Sequence, residues 1–207
     1  MKKILFSISA IALITFTACN SNDKTSKKDD MPEINTDTTK NTPVDNTQIA
    51  EVTHSFNNVD PKLAASLKTV VDHYLHIKNA LVSNDGSEAA KGGKAMTDAL
   101  SKVDKSLLTA EQKKVYDGFE DDLKEHAEHI SSNSSQIEHQ REHFSMMSED
   151  VYDLVKAFGG GQTLYHDHCP MANDNKGAMW LSEMKEIKNP YFGDKMNECV
   201  KIPEVIN

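Results

Sequence analysis

The chain has 207 residues, 38% of them hydrophobic and 27% charged, with a formal net charge of −9. Those values exclude collagen-like, coiled-coil-only and polytopic membrane classes. The acidic balance and the lack of a Lys/Arg block also exclude nucleic acid as a partner, since sequence-independent binding depends on neutralising phosphates.

Lys2 and Lys3 precede an apolar run from Ile4 to Phe16 that ends in Thr17-Ala18-Cys19. This is the charged, apolar and small-residue order of a secretory signal. The run is short for a membrane span, which needs about 20 residues. A Cys directly after small residues resembles the bacterial lipoprotein signal, in which the Cys is lipidated and becomes the mature N-terminus. Residues 1–19 are therefore read as a lipoprotein signal with Cys19 as the lipidation site. The protein is expected to be exported and anchored in the cell envelope, as a periplasmic or outer-membrane lipoprotein that touches the membrane through its lipid only.

Residues 20–58 are rich in Asn, Thr, Asp, Lys, Ser and Pro with almost no aromatic side chains, a composition unable to bury enough apolar surface to order itself. They are read as a tether. A flexible coil of about 40 residues reaches about 35 Å, which would hold residues 59–207, the folded part, off the lipid surface.

Four amphipathic helices are predicted next. Asp60-Pro61 pairs an N-cap with Pro at the first helical position, and Leu63, Leu67, Val70, Tyr74, Ile77 and Leu81 follow at three- and four-residue steps, up to a stop near Asn84-Asp85-Gly86. Ser87 is placed to cap a second helix with Ala89, Gly93, Met96, Leu100 and Val103 inward, its small residues permitting close helix approach. Thr109 and Gln112 form a capping box opening a third helix through Val115, Phe119, Leu123, His126 and Ile130; Ser135 and Glu138 form another opening a fourth, stopped by Gly159-Gly160-Gly161. Short connections favour an up-down-up-down arrangement. The fold class predicted is all-α: a four-helix bundle with an irregular C-terminal wrap.

Nine Met and nine His accompany a single Trp, and thioether and imidazole are the neutral side chains that bind soft or borderline metals. At 100° per residue, His126 falls within the apolar stripe of the third helix and His129 on its flank. On the fourth helix His139, His143 and Met146 share one side, with Met147 nearer the core. The i, i+4 spacing of His139 and His143 suits chelation of one ion. Two readings stay open: His126 hydrogen-bonds inside the bundle while the others are solvated, or the third and fourth helices share a metal site.

The residues three before these histidines are Leu123, His126, Gln136 and Gln140, so the Glu-x-x-His di-iron pattern is missing. Covalent-haem, zinc-protease, nucleophile-elbow and phosphate-loop motifs are missing too. No catalytic residue is assigned, and a non-enzymatic protein is expected.

The densest ligand run is Tyr165-His-Asp-His-Cys-Pro-Met171, followed by Met179, Met184, Met196 and Cys199. Pro170 biases Cys169 towards extended backbone, which places the run on a loop. Sulfur with imidazole suits copper(I) first, with silver and zinc as alternatives. The candidate ligands are His166, His168, Cys169, Met171, Met196 and Cys199, with His126, His129, His139, His143, Met146 and Met147 as a secondary set. The competing reading is a Cys169–Cys199 disulfide, worth about 3–4 kcal/mol in the chain-entropy account.

The blocks Cys169-Pro-Met-Ala172, Gly177-Ala-Met-Trp180-Leu-Ser182, Asn189-Pro-Tyr-Phe-Gly193 and Met196 to Cys199 occur in order, with Tyr74-Leu-His-Ile-Lys-Asn-Ala-Leu81 and Gln140-Arg-Glu-His-Phe144 upstream. Over roughly residues 60–200 this resembles a family of small exported domains of unknown function, found as stand-alone lipoproteins and fused to periplasmic adaptor subunits of copper/silver efflux pumps. The resemblance implies a helical bundle in a heavy-metal context. The expected function is to bind copper(I) for sequestration or handover to an efflux system. The alternative is a module that docks on an efflux adaptor or envelope partner, with a purely structural Cys pair.

Overall fold

Asp60 accepts hydrogen bonds from Lys62 N and Leu63 N, and Pro61 needs no partner for a missing N–H, so α1 starts there and runs Pro61–Val82. The computed structural model describes residues 49–193, 195–198 and 200–207. The signal, Cys19, most of the tether and Cys199 lie outside the described residues.

The second helix, α2 (Gly86–Leu100), is capped by Asp85 rather than Ser87. It is wedged between α1 and a later helix, and its glycines explain how. A Cβ on Gly93 would lie 2.6 Å from Ala127 O, and one on Gly92 2.8 Å from Ile77 Cγ1, so the backbones meet where only hydrogen fits.

The predicted third helix is two helices. The Thr109–Gln112 capping box forms as expected and starts α3 (Ala110–Tyr116), while α4 covers Glu120–Ser132. The break falls at Asp117-Gly118, where Gly costs about 1 kcal/mol of helix propensity relative to Ala. It lets Tyr116 and Phe119 both turn inward, edge to face at 5.6 Å, and leaves Val115 exposed. The last helix, α5 (Ile137–Phe158), begins at Gln136 with no side-chain cap, so the Ser135 box does not form; Gly159, at φ +86°, ends it.

Among the described residues α1 packs on α2 and α5, α2 on α4, and α4 on α5. The all-α class nonetheless fails. A four-stranded sheet in the order β1-β4-β2-β3 packs against α5 through β3, which makes the fold mixed α/β. Its strands are β1 (Ala50–Val52), β2 (Leu164–Cys169), β3 (Ala178–Ser182) and β4 (Lys201–Ile206). β2 is antiparallel to both β3 and β4, and β1 lies parallel to β4. The expected loop through Cys169 is thus a strand, because the extended backbone that Pro170 enforces serves a sheet equally well. Between His166 and His168 the pairing on β4 advances from Glu204 to Lys201, a bulge that accommodates Pro203 and its missing donor. β1 falls within the stretch read as tether; it takes its order from β4, a partner about 150 residues away that no local pattern reveals.

Leu67, Val70, Tyr74, Leu123, Phe144, Val151, Leu164 and Trp180 join helices and sheet in one core. Arg141, buried in α5, ties the C-terminal wrap to it: its guanidinium donates to Pro190 O, Leu81 O and Asn84 Oδ1 and pairs with Glu138. No described helix is long and apolar enough to cross a membrane.

Candidate metal centre

Helical spacing puts His126 and His129 of α4 on the side facing His139 and His143 of α5. Across that seam one ligand atom from each of His129, His139 and His143 lies within 4.8 Å of the other two. The ring of His129 stacks on His143 at 4.1 Å and 9°, and His139 meets His143 edge-on at 4.6 Å. Donors around a tetrahedral ion at 2.0–2.1 Å stand about 3.3 Å apart, so modest side-chain rotation closes the set.

His143 is the innermost, 8% exposed. Burial, followed by the neighbouring His129, His139 and His126, depresses its pKa to about 4, so near neutrality it carries no charge and keeps a lone pair. Burial also lowers His126, against the pull of Glu125 and Asp122. An imidazole that ligates through one nitrogen needs a partner on the other. His139 Nδ1 has Glu142 Oε2 at 3.2 Å, and His143 Nδ1 has His126 Nδ1 at 3.1 Å. Glu125 Oε1 stands 4.0 Å from His129 Nε2. The contact between two Nδ1 atoms admits one proton. When His143 donates it, its Nε2 is bare and available, which makes His126 a positioning residue. Met146 continues the His139/His143 side of α5 by helical period and is exposed, whereas Met147 is fully buried core.

Among the described residues the sheet divides the first-choice ligands, and Cys199 lies outside them. Alternation along β2 puts His166 and His168 on one face and Cys169 on the other, beside Asp167. Cys169 is a free, fully buried thiol. Met171 is half-exposed in a cleft beside the N-terminal half of α5, with Glu142 and Tyr191, whereas His166 stands against Tyr152 on the C-terminal half. The Met196 backbone accepts from Asn189 Nδ2 and helps fold the wrap. The sequence passes over two further groups. Glu142, three residues after His139, is legible as a local pair; Asp167, buried under Trp180 and Lys78, is not. Burial drives the Asp167 pKa up to about 7, against the pull of Lys78 and Trp180.

Residues 70–163 match the model of a protein family of unknown function, DUF3347. The DUF3347 stretch runs from within α1 to the loop before β2, so it contains all four seam histidines and leaves out the described β-strands. No curated protein and no solved structure matches the chain.

Proposed function

We propose that this protein binds a soft or borderline transition-metal ion, copper(I) foremost, between α4 and α5, and holds it for sequestration or handover. The observation that carries this reading is the convergence of His129, His139 and His143 within 4.8 Å. Three imidazoles, with Met146 on the same side of α5, favour a d10 ion, and the exposed Met146 weights the set towards copper(I) or silver over zinc. The resemblance to domains fused to copper/silver efflux adaptors points the same way. It supplies the further proposals that an efflux adaptor receives the ion and that Cys19 carries the lipid anchor. The proposed role is binding rather than turnover.

Anaerobic competition of the full chain against a copper(I) chelator tests the reading. One tight equivalent is expected. His129→Ala, His139→Ala and His143→Ala combined should lower affinity by at least 100-fold with helical circular dichroism unchanged. Unaltered affinity in that variant overturns the site, and no tight equivalent in the parent chain overturns the function.

A further inference from the structure

A second constellation lies at the other end of α5. Tyr152 sits nine residues beyond His143, about 13 Å along the helix axis. The Tyr152 hydroxyl donates to Glu204 Oε1 at 2.7 Å and accepts from Lys156 Nζ at 3.0 Å. That chain fixes the carboxylate from behind and leaves Glu204 Oε2 buried without a hydrogen-bond partner. Directly across the β2–β4 pair stands His166, its Nδ1 also buried and without a hydrogen bond, at the ion-pair distance of 3.6 Å from Glu204 Oε1. The two side chains are only 15% and 20% exposed. A ring nitrogen and a carboxylate oxygen that each lack a hydrogen bond in so enclosed a place are costly unless a further group satisfies them. His168 shares this sheet face two residues along β2, and the bulge in β4 falls between their two pairing positions, a feature common beside functional sites.

We propose that His166 and Glu204, joined by His168 through rotation about its side chain, form a second metal site selective for a borderline divalent cation of the zinc, cobalt or iron(II) type. The donor chemistry sets the selectivity. A carboxylate among the ligands suits a divalent ion and disfavours copper(I), while two imidazoles disfavour magnesium and calcium. Tyr152, held by Lys156, orients the carboxylate in the way outer-shell partners of metal ligands do. Cys169 takes no part, since it points to the opposite face of the strand.

The test uses the full chain carrying His129→Ala, His139→Ala and His143→Ala, titrated with cobalt(II) and, in competition, with zinc. One equivalent should remain, with d–d absorption of low coordination number and no thiolate-to-cobalt charge-transfer band. Adding Glu204→Gln, which keeps the shape and the Tyr152 hydrogen bond, should weaken it at least tenfold, and His166→Ala by a similar factor. Loss of all cobalt binding in the triple variant, indifference to Glu204→Gln, or a thiolate band would each overturn the proposal. None of these outcomes bears on the copper(I) equivalent at the helix seam, which is measured separately in the chain with that triad intact.

Discussion

The helix seam and the sheet treat the same kinds of residue in opposite ways. Between α4 and α5, three- and four-residue steps bring imidazoles from two chain segments into one space, each backbone already satisfied within its own helix. In β2 the densest ligand run of the chain is divided between two faces, and neighbours in sequence become strangers in space. Ligand density along a sequence is therefore a poor guide to a site unless the period of the element is known.

The two regions also answer pH in opposite directions. Unfolded His143 takes up a proton near pH 6.5 and the folded group only near 4. The seam's contribution to stability is therefore present above pH 6.5 and lost as pH falls through 4. Folded Asp167 keeps its proton up to about pH 7, whereas the unfolded group releases it near 3.8. Its contribution is full below 3.8 and lost as pH rises through 7.

The largest expected effect that separates the regions is on binding. His143→Ala alone should weaken copper(I) at least 100-fold, while Cys169→Ala should leave affinity within twofold; chelator competition on both variants checks the pair, and the reverse ranking would break the comparison. Next comes stability. Asp167→Asn keeps the shape and removes the buried charge, so it should stabilise the fold by about 2 kcal/mol or more at pH 8, the gain vanishing near pH 4. Thermal melts across that range check it, and a gain independent of pH would deny the role of the carboxylate. A smaller loss, about tenfold to 100-fold in affinity, is expected from His126→Leu. Long-range proton–nitrogen NMR should then show the His143 proton moved from Nδ1 to Nε2. The smallest effect is Met146→Leu, a loss of a few-fold for copper(I) with zinc affinity unchanged.

Much of the helical part was legible because its signals are local. Asp60 with Pro61, the Thr109–Gln112 box, the small residues Ala89 and Gly93, and the stop at Gly159 all act within a few positions. All four seam histidines could be named for the same reason, since each helix displays its own face. The sheet escaped because its cues are non-local or contrary. β1 has three residues and a partner at the far end of the chain, β4 contains Pro203, and β2 reads as polar on both faces although it is half to fully buried. The break between α3 and α4 was hidden by a hydrophobic period that continues through it, with Gly118 as the one local hint.

The parallel pairing of β1 with β4 carries a mechanical consequence. A pull on the chain upstream of Ala50 does not first meet the N-terminus of α1. It loads a three-residue ladder in shear against the C-terminal strand that also holds Glu204. Tension applied to the chain ahead of β1 would thus reach the sheet, at the far end of α5 from the seam histidines, before it reaches the helices.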